Sequence, residues 1–237
     1  MSNFELVHFA DPSSLADAAA GQWLEQLLAA NRPYHVALAG GRIAGQFFFA
    51  VCTRAKKKNV SFDGIHFFWS DERCVWPNDP ESNFAMAWDH LLAPLAIPQS
   101  QIHRVRGELP PEEAARKAEM ELRGIAQAGP DSQPILDLIF LGMGEEGHVA
   151  SLFPGERDDV LSSKAVYRAV SATKPPPLRI TFGYPAIAAA RQVWVLASGG
   201  GKAGALRESL APEGRTPLAR VLKLRQNTRI LTDIQVD

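Results

Sequence analysis

Short apolar runs rich in β-forming residues alternate with longer helical stretches along this chain, and that alternation constrains the fold more than any other feature. Buried strands are predicted at residues 34–39, 65–69, 136–141 and 193–197, because each run is apolar and ends at a glycine or a polar turn. The helices predicted between them are residues 12 to about 30, capped by Asp11, then 46–58, 83–92, and 111 to about 129. Alternating strands and helices indicate a parallel sheet.

The predicted strands are continuously apolar, which is typical of a sheet that is covered on both faces. We therefore expect a Rossmann-like, doubly wound α/β fold, in which helices flank a mostly parallel sheet on both faces. The chain has 237 residues, 46% of them hydrophobic and 22% charged, and no repeat or long low-complexity linker divides it. One domain spanning residues 1–237 is the expected organisation.

The net charge and the cysteine content limit the binding partners and the cellular compartment that we expect. A net charge of -1 gives no reason to expect a nucleic-acid partner. Cys52 and Cys74 match neither a zinc nor a redox motif, so a reducing, cytoplasmic location is expected. The first ten residues lack the pattern of a signal peptide, and no apolar run approaches membrane-spanning length. We expect no membrane partner, and a monomer or a weak homodimer.

The residues that follow each strand are the candidates for a site, because ligands bind at the carboxyl ends of the strands in open parallel sheets. Gly40, Gly41 and Arg42 follow the first predicted strand, and they form either a phosphate-binding turn or only a tight strand-to-helix connection. Asp71 and Arg73 follow the second strand, where charged groups belong either to a site or to a surface ion-pair cluster.

The glycine-rich loop after the third strand carries the strongest candidate for a catalytic group. Residues 142–148 read GMGEEGH, so His148 is presented at the edge of the sheet, where a neutral imidazole is a competent general base. Glu146 is placed to fix the tautomer of that imidazole, whereas the other five histidines are predicted to be structural or exposed. After the fourth strand, three glycines precede Lys202 and form either an anion-binding nest or a flexible turn.

Several common motifs do not fit this sequence. The formal G-x-G-x-x-G match at residues 142–147 puts two glutamates where a pyrophosphate would lie, and no acidic residue stands near the ribose-binding position about 20 residues on. The pair at 201–202 lacks the rest of a P-loop, because Ala203 replaces the Ser or Thr that binds magnesium. A G-x-S-x-G elbow and metal-ligand spacing are both absent from the sequence.

Taken together, the loops resemble one family, the 6-phosphogluconolactonases, within the larger group that includes glucosamine-6-phosphate deaminases. Residues 141–154 read LGMGEEGHVASLFP and are similar to the family segment L-G-M-G-x-D-G-H-T-A-S-L-F-P. Residues 70–75 and 82–84 resemble its D-E-R-x-V and S-N-Y strings, while 179–181 and 201–202 resemble its R-x-T and G-x-x-K. The resemblance spans nearly the whole chain and keeps the order of the motifs.

The resemblance implies hydrolysis of 6-phospho-D-glucono-1,5-lactone to 6-phospho-D-gluconate in the oxidative pentose phosphate pathway, with no metal or redox cofactor. His148 would act as the general base on water, Glu146 would orient it, and Asp71 would orient a neighbouring group. The residues implied to bind the substrate and its phosphate are Gly40, Gly41, Arg42, Arg73, Asn83, Arg179 and Lys202.

The chain departs from the family pattern in its first loop, where the family has S-G-G-S-T-P and residues 39–44 read AGGRIA. Two hydroxyls that serve phosphate are missing there, and Arg42 is expected to compensate. Glu146 replaces the usual Asp. Phe153 stands where the deaminases carry a glutamate, and a phenyl ring cannot transfer protons, so the lactonase is favoured. A sugar-phosphate isomerase or deaminase, or a non-catalytic sugar-phosphate sensor, remains the alternative.

Overall fold

A computed structural model describes residues 4–30 and 33–236 and shows a six-stranded parallel sheet beside a smaller antiparallel sheet of three strands. The strands are β1 Phe4–His8, β2 Tyr34–Leu38, β3 Ile65–Trp69, β4 Asp71–Arg73, β5 Leu138–Gly142, β6 Tyr167–Ser171, β7 Leu178–Phe182, β8 Gln192–Ala197 and β9 Thr228–Thr232. The α-helices are α1 Pro12–Ala29, α2 Arg42–Lys58, α3 Asn83–Ala87, α4 Pro111–Ile125, α5 Asp158–Leu161, α6 Tyr184–Ala189, α7 Ala203–Leu210 and α8 Pro217–Leu224.

The predicted α/β class is confirmed. The order of the large sheet is β1-β9-β8-β5-β2-β3, and every neighbouring pair is parallel. The chain moves outward from β2 to β3 on one side and from β5 through β8 to β9 on the other. Right-handed crossovers in opposite directions place the helices on opposite faces of the sheet, and α1 packs on α2 while α6 and α7 pack on α8.

The four predicted strands agree with β2, β3, β5 and β8 to within two residues at either end. Helix α1 begins where expected, because the Asp11 carboxylate accepts a hydrogen bond of 2.8 Å from the backbone N–H of Ser14. The hydroxyl of Ser14 lies 3.2 Å from the backbone N–H of Asp11 and completes a capping box. This pair of reciprocal bonds fixes the first turn of the helix.

Two helix boundaries were predicted wrongly. Helix α2 begins at Arg42 rather than at residue 46, because Gly41 adopts a φ of 94° and turns the chain directly from β2 into the helix. Helix α4 ends at Ile125, before the predicted limit near residue 129. The predicted helix over residues 83–92 has the expected bounds, although it is α-helical only to Ala87 and continues as a π-helical turn over Trp88–Leu92.

An aromatic cluster forms the centre of the core between the sheet and the α1–α2 layer. The rings of Phe47 and Phe140 lie 4.6 Å apart, and Trp23 meets Phe140 edge-on at 5.3 Å. Trp194 on β8 contacts the same Phe140 at 5.8 Å, and all four side chains are fully buried. Burying each such side chain contributes about 1.5–3 kcal/mol, so this cluster fixes the sheet on which the loops are mounted.

The antiparallel sheet β4-β7-β6 was not predicted from the sequence. It starts at the carboxyl end of β3, and its register pairs Asp71 with Thr181 and Arg73 with Arg179. Local sequence gives little sign of β4, because its three residues are all charged and resemble a surface loop. In the described part of the chain, no helix combines the length and apolar character needed to cross a bilayer.

Candidate active site

A cavity of about 350 Å³ opens at the carboxyl edge of the sheet, between the neighbouring strands β2 and β5. The chain leaves β2 towards one side of the sheet and leaves β5 towards the other, which is where ligands bind in folds of this type. The loops after β2, β5 and β8 and strands β4 and β7 form its walls. Of the ten residues predicted for the site, all but Glu146 line it. The lining residues include Gly40, Gly41, Arg42, Asp71, Arg73, Asn83, His148, Arg179 and Lys202.

His148 is the only histidine among the lining residues, and the loop before it is shaped around its ring. The backbone N–H of Gly144 donates to the carbonyl of His148 at 2.9 Å, which closes the loop into a tight turn. A Cβ atom at position 144 would come within 2.6 Å of His148 Nε2 and closer still to Nδ1 and Cε1. Only glycine therefore allows the imidazole to lie against this backbone.

Glu146 lies behind the imidazole rather than in the cavity wall. Its Oε2 is 3.3 Å from His148 Nδ1, although the two atoms lack the alignment of a hydrogen bond and have no other hydrogen-bond partner in the described chain. Burial alone would raise the pKa of Glu146, but its own backbone N–H, His148 and Lys174 outweigh that effect and lower it. A charged carboxylate beside Nδ1 favours the tautomer whose proton is on Nδ1, which leaves Nε2 as a proton acceptor.

Burial is the main influence on the pKa of His148 and lowers it below its ordinary value, although the carboxylates of Glu146 and Asp71 act in the opposite direction. Part of that burial comes from Phe153, whose ring centroid lies 4.9 Å from that of the imidazole. The guanidinium of Arg179 lies 5.7 Å from the centroid of the same phenyl ring. The lowered pKa of His148 favours the neutral imidazole, which is the form a general base requires.

Asp71 is buried and is held by two polar neighbours. Ser151 Oγ donates to its Oδ2 at 2.7 Å, and Asn83 Nδ2 donates to its backbone carbonyl at 2.9 Å and to its Oδ1 at 3.3 Å. The amide of Asn83 in turn packs so closely on Gly40 that a Cβ atom there would overlap it. These contacts join the loop after β2, strand β4 and the loop after β5 into one rigid wall.

Glu72 holds this wall from the side away from the cavity. Its buried carboxylate accepts hydrogen bonds of 2.7 Å from the backbone N–H groups of Arg73, Asn83 and Phe84, and one of 3.2 Å from Ser82 Oγ. Burial raises the pKa of Glu72 to about 7, against the effect of these donors. The hydroxyl of Ser82 also accepts from the N–H of Ala85 and so caps the first turn of α3.

Arg73 and Arg179 form a pair of like charges that are directly opposite in the β4–β7 ladder. Arg73 Nη1 contacts the carbonyl and the carboxylate of Glu81 at 3.0 and 3.1 Å, while Arg179 donates to the carbonyls of Pro176 and Lys174. Burial and then the charge of Arg73 lower the pKa of Arg179. Two adjacent guanidinium groups in a cavity favour the binding of an anion between them.

Arg42 and Lys202 contribute a second pair of positive charges to the cavity. Arg42 begins α2, and neither side chain makes a hydrogen bond or an ion pair with the described part of the chain. Burial, followed by the charge of Arg42, lowers the pKa of Lys202. The cavity is therefore rich in positive charge and suited to a phosphate group.

Sequence reasoning missed some of the lining residues. Gln46 lies four residues after Arg42 in α2 and so shares its face, a signal that helical spacing offers. Pro12 at the start of α1 also lines the cavity, and nothing local to that position indicates it. Within the described residues, no group of three or more His, Cys, Asp or Glu side chains is arranged to hold a metal ion.

Comparisons with known proteins show what this chain is similar to. The model of the family "Glucosamine-6-phosphate isomerases/6-phosphogluconolactonase" matches residues 10–231. A 6-phosphogluconolactonase of Mycobacterium tuberculosis is 34% identical over 228 residues, covering 84% of this chain and 91% of that protein. The solved 6-phosphogluconolactonase of Trypanosoma brucei is 26% identical and superposes with a TM-score of 0.84 over 98% of this chain and 97% of that one.

The fold by itself does not separate the branches of this group. A monomeric glucosamine-6-phosphate deaminase of known structure is 20% identical and has a TM-score of 0.81, covering 96% of each chain. At that identity the likeness concerns the fold alone. The match over residues 10–231 and the identity to the mycobacterial protein show that this chain belongs to the glucosamine-6-phosphate isomerase/6-phosphogluconolactonase family.

Proposed function

We propose that this protein hydrolyses 6-phospho-D-glucono-1,5-lactone to 6-phospho-D-gluconate. The observation that carries the proposal is that one cavity of about 350 Å³ holds the imidazole of His148 together with positive side chains from four other segments. A phosphorylated sugar lactone requires both features, a base at its carbonyl end and positive charge at its phosphate end. The relatives named as 6-phosphogluconolactonases support the same substrate.

In this mechanism His148 Nε2 removes a proton from water as the water oxygen forms a bond to C1 of the lactone. The tetrahedral oxyanion that results requires stabilisation by N–H donors or a cation. The bond between C1 and the ring oxygen then breaks, and His148 returns the proton to that oxygen. Glu146 keeps the imidazole in the required tautomer, and Asp71 holds Ser151 and Asn83 in the wall beside it.

The phosphate anchors the other end of the substrate, so the carbonyl is positioned beside the base. Arg73 and Lys202 provide the principal charges, with backbone N–H groups of Gly40 and Gly41 at the start of α2. Arg42 and Arg179 add to this hold, and Asn83 keeps Gly40 in place. Because the phosphate takes no part in bond breaking, its loss weakens binding rather than chemistry.

The test is a coupled assay of lactone hydrolysis above the spontaneous rate, applied to the wild type and to His148→Ala. Removal of the general base is expected to lower kcat by about 100- to 10,000-fold. His90→Ala is the matched control, because His90 is exposed and outside the cavity. A His148→Ala protein with near-normal kcat would refute the mechanism. A wild type that binds 6-phosphogluconate without accelerating hydrolysis would be a sensor.

A further inference from the structure

The loop that carries Lys202 is held in place by Asp233, a residue that lies outside the cavity lining. Strands β8 and β9 pair in parallel up to Ala197 opposite Thr232, so the next residues in register are Ser198 and Asp233. Ser198 Oγ donates to Asp233 Oδ2 at 2.8 Å, and the backbone N–H of Gly199 donates to Asp233 Oδ1 at 3.0 Å. One carboxylate thus holds both residues with which the loop begins.

This loop depends on such a hold because three consecutive glycines, residues 199–201, precede Lys202. A Cβ atom at position 200 or 201 would meet nothing within 4 Å, so packing does not fix this backbone. Glycine also loses more conformational freedom on ordering than any other residue. The turn has a backbone bond of its own, from the N–H of Lys202 to the carbonyl of Gly199 at 3.0 Å, and Asp233 fixes the Gly199 end of it.

The charge of Asp233 matters as well as its hydrogen bonds. Burial and the neighbouring Arg42 lower the pKa of Lys202, and the carboxylates of Glu145 and Asp233 oppose them. Glu145 is exposed and contacts Lys174 at 3.5 Å, whereas Asp233 is half-buried and tied to the loop itself. Glu145 has the larger effect on the pKa of Lys202, and Asp233 adds to it from a position that its hydrogen bonds to the loop fix.

We propose that Asp233 is a positioning residue for the phosphate end of the site. It holds the side chain of Ser198 and the backbone of Gly199 so that Lys202 is directed into the cavity, and its negative charge partly offsets that of Lys202 in the unliganded protein. The inference rests on the proposed function, because it assigns Lys202 to the phosphate of the substrate. Asp233 acts through Lys202 and does not touch the ligand.

The experiment measures the affinity for 6-phosphogluconate by calorimetry, which needs no turnover, in Asp233→Ala, Lys202→Ala and the double variant. Asp233→Ala is expected to weaken binding about tenfold. This is the loss of affinity that results when only about one tenth of the molecules hold the loop in the conformation that binds. The double variant is expected to bind no more weakly than Lys202→Ala, because residues that act through one another are not additive. Asp233→Asn, whose amide oxygen still accepts from Gly199, is expected to bind more tightly than Asp233→Ala.

Kinetics separate this role from a merely structural one. Asp233→Ala is expected to raise KM for the phosphorylated lactone with kcat unchanged, and to leave the hydrolysis of unphosphorylated gluconolactone unaffected. Asp63→Ala is the matched control, because Asp63 also accepts from a serine hydroxyl, at 2.8 Å, but lies in the exposed turn before β3. Its affinity is expected to equal that of the wild type.

Two results would overturn the inference. One is wild-type affinity in Asp233→Ala, and the other is a double variant weaker than Lys202→Ala by the full effect of Asp233→Ala. Failure of the proposed function is a separate outcome. In that case the wild type would bind 6-phosphogluconate in an Asp233-dependent manner and would not accelerate lactone hydrolysis.

Discussion

Replacing Gly144 by alanine tests whether the position of the His148 ring, and not merely its presence, controls the reaction. The added methyl carbon would lie 2.6 Å from Nε2 of the imidazole and nearer still to two other ring atoms. Non-bonded carbon atoms settle at about 3.5–4.0 Å, so the ring must retreat by roughly 1 Å or more. The backbone of Gly144 cannot yield easily, because its N–H is bonded to the carbonyl of His148 at 2.9 Å.

A displacement of about 1 Å at a catalytic group lowers rates by about 100-fold. We therefore expect Gly144→Ala to lower kcat for the phosphorylated lactone by about 100-fold while KM changes little, since the phosphate end of the cavity is untouched. The loss should be smaller than or equal to that of His148→Ala, because the imidazole remains in the protein.

The coupled hydrolysis assay measures this effect, and thermal unfolding of the same samples establishes that the variant is folded. Gly45→Ala is the matched control: a Cβ atom there would lie 3.6 Å from Met86 Sδ, an ordinary contact, and alanine favours the α2 helix. A folded Gly144→Ala protein with wild-type kcat would show that the ring position does not limit the reaction.

Two further predictions concern the charges around the base and the phosphate. The carboxylate of Glu146 raises the pKa of His148, and the reaction needs the neutral imidazole, so Glu146→Gln should move the acid limb of the pH profile to lower pH as well as slow the reaction. The measurement is kcat/KM for unphosphorylated gluconolactone between pH 4 and 8. An acid limb that moved to higher pH would contradict the prediction. Arg179→Met should raise KM for the phosphorylated lactone by about tenfold to hundredfold, which corresponds to the free energy of one charged hydrogen bond, while kcat stays nearly unchanged. An equal rise in KM for the unphosphorylated lactone would argue against a contact between Arg179 and the phosphate.

Strands β2, β3, β5 and β8 could be predicted because burial on both faces makes their sequences continuously apolar. Strand β1 at one edge of the sheet and β9 beside it could not, since both mix polar and apolar residues. Arg229 interrupts the apolar run of β9, yet its guanidinium lies 5.0 Å from the ring centroid of Trp194 and pairs with Glu5 at 2.6 Å. A long side chain that covers an aromatic ring in this way cannot be distinguished from a loop arginine without the strand register.

Some features of the site follow from a local stretch of sequence, and others depend on contacts between residues far apart in the chain. His148 and the glycines around it lie within one seven-residue string, so the sequence alone places a base at the end of a strand. The pairing of Arg73 with Arg179 joins residues 106 positions apart, and the contact of Ser198 with Asp233 joins residues 35 apart. Both depend on which strands become neighbours, and no local pattern encodes that choice.

Phe153 provides the physical reason to prefer a lactonase over a deaminase on this fold. The resemblance to the family implies that its deaminases carry a ring-opening glutamate where this chain has Phe153, whose ring lies 4.9 Å from that of His148. A phenyl ring there excludes water and lowers the pKa of the imidazole, whereas a carboxylate would raise it and keep the imidazole protonated. An activated ester needs only a neutral base and a bound water, so the substitution removes the ring-opening acid and preserves the group that hydrolysis requires.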